Sequence, residues 1–419
     1  MREKVLILDF GSKYTQIVAR RVREMAVFSE VYPYNTPIET IKFHDPKGII
    51  LSVDPEGADS SIVKKEIDKL GIPILSLYYD LKTKDESDKT IKKFLDEICH
   101  CAFQWNPDTF VKDSIEEIKK QVGDNKVLCG VSGGVDSSVL ALLLHKAIGN
   151  QLYCMHIDTG LMRKNESKQV VETFKEKFNI VLDHVDASDI FLSKLAGVTD
   201  PEKKRKIIGT TYIDVFEKES RKFGKLDFLA QGTIYPDVIE SIPVKGTVIK
   251  SHHNVGGMPE KMNMGLVEPL RFLFKDEVRK IGRELGLPVE LVDRHPFPGP
   301  GLGVRVIGEI TKEKLDMLRE ADYIFIDEIR KSGIYNDIWQ AFAVILPVKT
   351  VGLTDEGRTY ELTVALRAIH SIDAVTADWV KMDYSILEKT SNRIINNVKG
   401  INRVVYDISS KPPATIEWE

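Results

Sequence analysis

The stretch best equipped for chemistry is Ser132-Gly133-Gly134-Val135-Asp136-Ser137-Ser138. It lies between two apolar runs, Lys126–Val131 and Val139–Ile148, whose lengths predict a strand and then a helix. Glycines let a backbone approach a ligand closely, and the amides at a helix start point outward with the positive end of the dipole. Serine hydroxyls add donors on the same side. Together these groups suit a chain of phosphates. No Gly-Lys-Ser/Thr ends the stretch, so it is not a Walker A loop and offers no lysine to a transferring γ-phosphate. Asp136 instead suits a magnesium ion on pyrophosphate. Taken alone, the same residues also fit a plain turn with Asp136 as a helix cap.

The elements that must position this loop follow from the pattern. A chain of 419 residues holds roughly three domains at about 150 residues each. The first block, 1–110, alternates predicted strands (Val5–Asp9, Lys47–Ser52, Pro73–Tyr78) with predicted helices (Thr15–Met25, Ser60–Leu70). A polar run, Lys82–Lys92, then leads into a helix ending near Cys99. The second block, 111–300, opens on a charged helix, Lys112–Val122. Predicted strands Lys126–Val131, Leu152–Asp158, Ile180–Val185 and Phe228–Gln231 then alternate with helices. Such alternation predicts an α/β fold, a doubly wound parallel sheet with ligands outside the carboxyl ends of its strands. Turn-rich Phe297-Pro298-Gly299-Pro300-Gly301 marks the start of a third, α+β block, 301–419. There, strands near Ala341–Val348, Arg358–Arg367 and Arg403–Ile408 flank helices near Lys312–Lys331 and Tyr384–Val398.

Composition excludes several functions. With 59 Lys+Arg against 63 Asp+Glu, a net charge of -4 argues against a generally basic nucleic-acid binder. No apolar run approaches the roughly 18 residues of a membrane span. Val5–Leu8, followed at once by Asp9, is too short for a secretory signal, so a cytoplasmic protein is expected. Cys99, Cys101, Cys129 and Cys154 then read as reduced, semi-buried thiols. Cys99 and Cys101 flank His100, but nothing nearby completes a four-ligand zinc set. His252 and His253, being adjacent, point in different directions and are read without a metal.

The Ser132–Ser138 loop resembles the pyrophosphate-binding loop of N-type ATP pyrophosphatases. Five further stretches are similar to the GMP synthetase family: 200–209 (DPEKKRKIIG), 250–257 (KSHHNVGG), 295–302 (HPFPGPGL), 339–342 (WQAF) and 411–419 (KPPATIEWE). The resemblance runs from about Gly123 to Glu419. It implies that the C2 oxygen of xanthosine 5′-monophosphate (XMP) attacks the α-phosphate of ATP, and that ammonia then displaces AMP to give GMP. It implies further that Ser132, Gly133, Gly134, Val135, Asp136, Ser137 and Ser138, with Asp158 and Gly160, bind ATP and its pyrophosphate. By the same resemblance Asp136 holds Mg2+, Lys250 is a second catalytic cation, and Arg205, Gln340, Lys411 and Glu417 bind XMP. A homodimer through 301–419 is implied as well. Without the resemblance, Lys203–Lys206 reads as a solvated helix face and Glu417 as an exposed carboxylate.

The first block resembles the same family only in part. The stretches 7–16 (ILDFGSKYTQ) and 47–52 (KGIILS) are similar to the opening of a class I glutamine amidotransferase domain, which implies a flavodoxin-like sheet. The family's Gly-x-Cys-x-Gly turn is here Ser76-Leu77-Tyr78-Tyr79-Asp80, with Tyr78 at the nucleophile position. A phenol with a pKa near 10 cannot replace a thiolate there. The family's Ser-Gly-Gly-Pro oxyanion loop reads Ser52-Val53-Asp54-Pro55, which puts a side chain and a negative charge where donors are needed. No His-Pro-Glu precedes Gly123. Cys99 and Cys101 have no base beside them except His100, so neither is expected to substitute as nucleophile. The expected function is therefore ammonia-dependent GMP synthesis from XMP and ATP by a chain with a truncated, degenerate glutaminase domain. One alternative is a synthetase subunit fed by a separate glutaminase chain; another is a non-catalytic sensor of XMP, GMP or ATP. The C-terminal stretch and the Pro-Gly-Pro-Gly loop argue against NAD, asparagine or thiolated-tRNA synthesis.

Overall fold

Val5, Leu6, Ile7 and Leu8 are all 0% exposed, so the first strand must have cover on both faces. In a computed structural model of the chain, which describes residues 3–12, 14–53, 67–79, 84–241, 263–355, 357–371, 374 and 376–419, that strand is β1 (Lys4–Asp9). It sits inside a parallel four-stranded sheet with β2 (Phe28–Pro33), β3 (Gly48–Ser52) and β4 (Ile74–Leu77), in the order β2-β1-β3-β4. This is the flavodoxin-like strand order. Helix α1 (Thr15–Glu24) buries Val18, Ala19 and Val22, and α2 (Ile38–His44) buries Ile41. The sequence pattern hides β2, because Glu30 sits at its middle. The structure keeps Glu30 3% exposed by pairing it with Lys4 at 3.0 Å.

The polar run that was read as leading into a helix is, over its described residues, itself helical. Helix α3 (Lys84–Lys93) turns Ser87 and Ile91 inward and its charges outward, then runs into a single wider turn, Phe94–Ile98. Of the helix expected at Ser60–Leu70, only its last turn lies within the described residues, with Ile67 buried. Helix α4 (Pro107–Val122) follows.

The contacts gather the chain into two units, and the division differs from the three blocks of the sequence. The first unit takes residues 3–121 together with described parts of 232–256 and of 268–286. Arg23, 6% exposed, shows what joins them. Its guanidinium donates to Glu277 at 3.1 Å and to the Phe272 carbonyl at 2.8 Å, and lies 3.8 Å above the Phe28 ring. Trp105 donates to the same Glu277 carboxylate at 3.0 Å, and the Val31 amide donates to the Tyr235 hydroxyl. No hydrophobic period in the sequence announces which sheet such a segment will cover.

The second unit carries a parallel five-stranded sheet: β5 (Val127–Gly130), β6 (Leu152–Asp158), β7 (Leu182–Asp186), β8 (Phe228–Ala230) and β9 (Gly265–Val267), in the order β7-β6-β5-β8-β9. Helices α5 (Val135–Ile148), α6 (Glu166–Phe178) and α7 (Pro201–Ser220) connect its strands. After it come α8 (Lys312–Lys331), an antiparallel pair β10 (Gln340–Thr354) and β11 (Gly357–His370), β12 (Asp378–Trp379), α9 (Tyr384–Asn397) and β13 (Ile401–Tyr406). β13 pairs in parallel with β11, giving the α+β arrangement expected. Among the described residues no helix is long and apolar enough to cross a membrane.

Candidate active site

The loop after β5 is shorter than its sequence suggested. Helix α5 starts at Val135, so Val135, Asp136, Ser137 and Ser138 form its first turn, and only Ser132, Gly133 and Gly134 are loop. Gly134 is the capping residue, which removes the reading of Asp136 as the cap. The turn is held from within. The Ser132 amide donates to the Ser137 hydroxyl at 3.2 Å, and the two hydroxyls lie 3.0 Å apart. The Gly134 amide donates to the Ser132 hydroxyl at 3.3 Å, and Ser137 donates to the Gly134 carbonyl at 3.1 Å. Gly133 has φ +83, and a Cβ there would stand 2.6 Å from Val170 Cγ2, so both conformation and space demand glycine.

The Val131 amide donates to the Met155 carbonyl at 2.8 Å, so this loop and the end of β6 leave the sheet side by side. Asp158 is the last residue of β6, and its carboxylate accepts the Gly160 amide at 2.9 Å. Gly160 has φ +71 and faces Ser188 at a distance that leaves no room for a Cβ. Arg319 of α8 donates to the Gly160 carbonyl and, at 3.0 Å, to the Met162 carbonyl, fixing the segment.

Arginines that the sequence reading did not single out surround these loops. Arg294 donates to the Gly133 carbonyl at 3.3 Å and to the buried Glu166 carboxylate. Burial pushes the Glu166 carboxyl up, but Arg294 and Arg163 outweigh it and hold the group below its ordinary range. The Phe297 ring has Arg163 at 4.4 Å, Arg305 at 5.2 Å and Arg294 at 5.8 Å from its centroid. The available signal was the position of Arg294 directly before the His-Pro-Phe-Pro-Gly-Pro-Gly stretch.

The four residues tied to XMP separate into two kinds. Gln340 and Glu417 come together: the Gln340 amide donates to Glu417 at 2.8 Å and to the Pro296 carbonyl at 3.1 Å. Arg305, 0% exposed, grips the same carboxylate with two bonds of 3.0 and 2.9 Å. Glu417 is therefore a tethered group, not a loose surface carboxylate. Arg205 instead pairs with Glu202 one turn back on α7, and Lys411 donates to the Ala374 carbonyl at 2.8 Å. The inward cation of the basic run is Lys204. It is 0% exposed and bound to the Glu419 carboxylate and to the Val306 carbonyl at 2.7 Å. Lys203 and Lys206 are exposed.

All four cysteines are buried, more so than expected, and each is free of a disulfide. Tyr78 follows β4 directly and is 58% exposed, while Tyr79 turns into the core. Lys250, His252, His253, Asp54 and Asp80 lie outside the described residues.

Residues 6–76 match the model of class-I glutamine amidotransferases, 107–199 the PP-loop domain, and 327–418 the GMP synthase C-terminal domain. A "GMP synthase [glutamine-hydrolyzing]" of Brachyspira hyodysenteriae is 47% identical, over an alignment of 509 positions covering 100% of this chain and 99% of the relative. One of Carboxydothermus hydrogenoformans is also 47% identical, covering 100% of both. Because those alignments run over 509 positions and the chain has 419 residues, the relatives carry residues with no counterpart here. Among solved structures, an NMN synthetase from Francisella tularensis is similar at a TM-score of 0.37 and 16% identity, covering 51% of this chain and 85% of that one, a likeness too slight to argue from. With its three domain matches and relatives aligned along its whole length, the chain belongs to the GMP synthase family.

Proposed function

We propose that this chain makes GMP from XMP and ATP with free ammonia as the nitrogen donor, and does not hydrolyse glutamine. One contrast carries the reading: the phosphate loop after β5 keeps every residue its geometry needs, while Tyr78 stands exposed at the glutaminase nucleophile's position. The curated relatives are named as glutamine-hydrolysing, so the proposal separates this chain from them on the nitrogen source.

The C2 oxygen of XMP bonds to the α-phosphorus of ATP as the bond to the β-phosphate oxygen breaks. Ammonia then bonds to C2, and AMP leaves. Such transfers need positioned charge more than a covalent nucleophile. The amides of Gly133 and Gly134, the start of α5 and the Ser132 and Ser137 hydroxyls line the place for the departing pyrophosphate. Asp158 and the Gly160 turn receive the adenosine side. Gln340 and Glu417 orient XMP, while Arg205 and Lys411 reach its phosphate and ribose only by leaving their present partners.

Asp136 and its neighbouring hydroxyls offer oxygen donors alone, and among the described residues no group of three His, Cys, Asp or Glu could cage a metal. That set fits Mg2+, which takes most of its ligands from phosphates and water. Bound there, Mg2+ would neutralise charge on the pyrophosphate. Lys250 is the proposed second cation. A homodimer through 301–419 is part of the proposal, supported by Val351, Leu353 and Tyr360, which β10 and β11 leave 48%, 82% and 62% exposed.

The test is GMP formation by the purified chain with XMP and Mg-ATP, supplied with ammonium or with glutamine. Turnover with ammonium alone is expected. Turnover with glutamine alone would overturn the nitrogen assignment, and none with either would overturn the synthetase reading.

A further inference from the structure

Lys204, Arg305 and Arg367 are each 0% exposed, and all three hold the C-terminal stretch. Arg367 of β11 donates to the Thr415 and Ile416 carbonyls, each at 2.8 Å. Arg305 grips Glu417. Lys204 bonds the Glu419 carboxylate, whose other oxygen accepts the Gly308 amide at 3.1 Å. Lys204 differs from the two arginines in the element it comes from. It lies in the first turn of α7, after the Asp200 cap, and heads the face on which Ile208 and Thr211 are also buried. A Cβ on Gly303 would stand 3.0 Å from Ile208 Cδ1, and Lys204 itself donates to the Val306 carbonyl at 2.7 Å. This face of α7 therefore rests on the 303–306 segment, the same segment that contributes Arg305. Arg205, one residue on, is turned about 100° around the helix axis from Lys204.

We propose that Lys204 is a positioning residue for the acceptor nucleotide: by bonding Glu419 it fixes α7, with Arg205, at a set distance from Glu417. The proposal rests on the synthetase reading above and deepens it. Lys204 acts through the residues on either side of it and not on a phosphate, because its ammonium is shut away from solvent between Glu419 and Val306. Arg205 on α7 and Glu417 on the C-terminal stretch then approach one ligand from two elements that cannot drift apart.

Stability alone does not call for this pair. Burying an ammonium with a carboxylate is often no better than packing two apolar residues of similar volume, which would hold the helix to the stretch without desolvating charge. Burial indeed pulls the Lys204 ammonium down, and the bond to Glu419 opposes it. What the ion pair supplies is register. The Glu419 carboxylate is met by one ammonium from α7 and one amide, Gly308, so the stretch seats at a single place along both elements. Arg305 and Gln340 then find Glu417 two residues earlier in the stretch.

The experiment compares the full chain with Glu419→Gln, Lys204→Met and the double variant, reading KM for XMP and for ATP with ammonium supplied, alongside thermal melts. Each single change is expected to raise KM for XMP about tenfold and to leave KM for ATP within about twofold. Lys204→Met also strands a buried carboxylate and lowers the melting temperature. The double variant strands no charge, so it should melt close to the wild type with KM for XMP still raised. A merely structural role predicts a normal KM for XMP wherever the chain is folded. No rise in that KM, an equal rise in both KM values, or its recovery in the double variant would each overturn the proposal. Glu419→Gln alone decides if Lys204→Met fails to fold. Hydrogen exchange at 411–419 without substrates reads the clamp apart from the reaction: faster exchange is expected in Glu419→Gln, and unchanged exchange would overturn the proposal even in an active enzyme. A wild-type chain that neither binds XMP nor makes GMP would instead overturn the synthetase reading, and with it the ligand that Lys204 serves.

Discussion

Two of the junctions that leave the carboxyl end of a parallel strand, one after β5 and one after β4, differ in the side chains they present. After β5, Gly133 takes φ +83 against Val170, Ser132 and Ser137 brace each other, and α5 begins at once. After β4, Tyr79 is 5% exposed with its ring 6.0 Å from Tyr14, and Tyr78 is 58% exposed. Both sheets are intact. The first is held by residues such as Val5, Ile7, Ile49 and Leu51, all 0% exposed, none of which performs chemistry. On the proposed function the first sheet stands without a reactive turn, because burial stabilises a sheet while a few specific side chains make such a turn.

The largest expected effect breaks the intact junction. Asp136→Asn should lower GMP formation with ammonium by about 10³-fold while leaving the melting temperature nearly unchanged, since in the proposed reaction the carboxylate serves charge on the pyrophosphate. Parallel turnover and thermal melts read this out. A change below tenfold would mean the β5 junction is not the chemical one.

Next is the scaffold of the first unit. Arg23→Ala leaves Glu277 buried without its cation, a change that costs about 3–5 kcal/mol. Denaturant unfolding should show that loss, whereas Asp136→Asn should not move it. The contrast separates fold from chemistry in the two regions.

A smaller effect sharpens how the phosphate loop is braced. The Glu166 carboxyl is held below its unfolded value, so its stabilising share is fully present above that value and is lost as pH falls through the folded one. Glu166→Gln should therefore flatten the acid limb of stability against pH below about 4.5, and at neutral pH it should weaken the grip of Arg294 on the Gly133 carbonyl. Thermal melts across acid pH check the first part, and the KM for ATP the second.

The smallest effect is none. Tyr78→Cys installs a thiol but, on the proposed function, supplies neither a histidine base nor an oxyanion loop, so glutamine hydrolysis should stay undetected. Release of glutamate by that variant would show that more of the glutaminase machinery persists than the sequence indicates.

Much of this was legible beforehand. β6 and α8 match the residues read from pattern alone, because Leu152–Asp158 and Lys312–Lys331 are bounded runs with clear periods. β2 was not, since Glu30 breaks its apolar run and its buried carboxylate is met by Lys4, Tyr32 and His44, partners that no local pattern announces. The start of α5 was placed late because glycine and serine read as loop, although Gly134 caps the helix and the serines lie within its first turn. In the site, motif residues were visible and their partners were not. Glu417 stood out in the C-terminal stretch, but Arg305, which holds it, has no local signature. In the run at 203–206 one residue decides which cation turns inward, and helical phase on α7 buries Lys204 rather than Arg205.

The most direct test of the central claim is where the new nitrogen of GMP comes from. The purified chain would be given XMP, Mg-ATP, unlabelled ammonium and glutamine labelled with a heavy isotope at the amide, and the product weighed. The contrast between the two junctions predicts unlabelled GMP and glutamine left intact. Labelled GMP in excess of any spontaneous ammonia release would contradict it, placing a working glutaminase in a unit whose nucleophile position holds Tyr78.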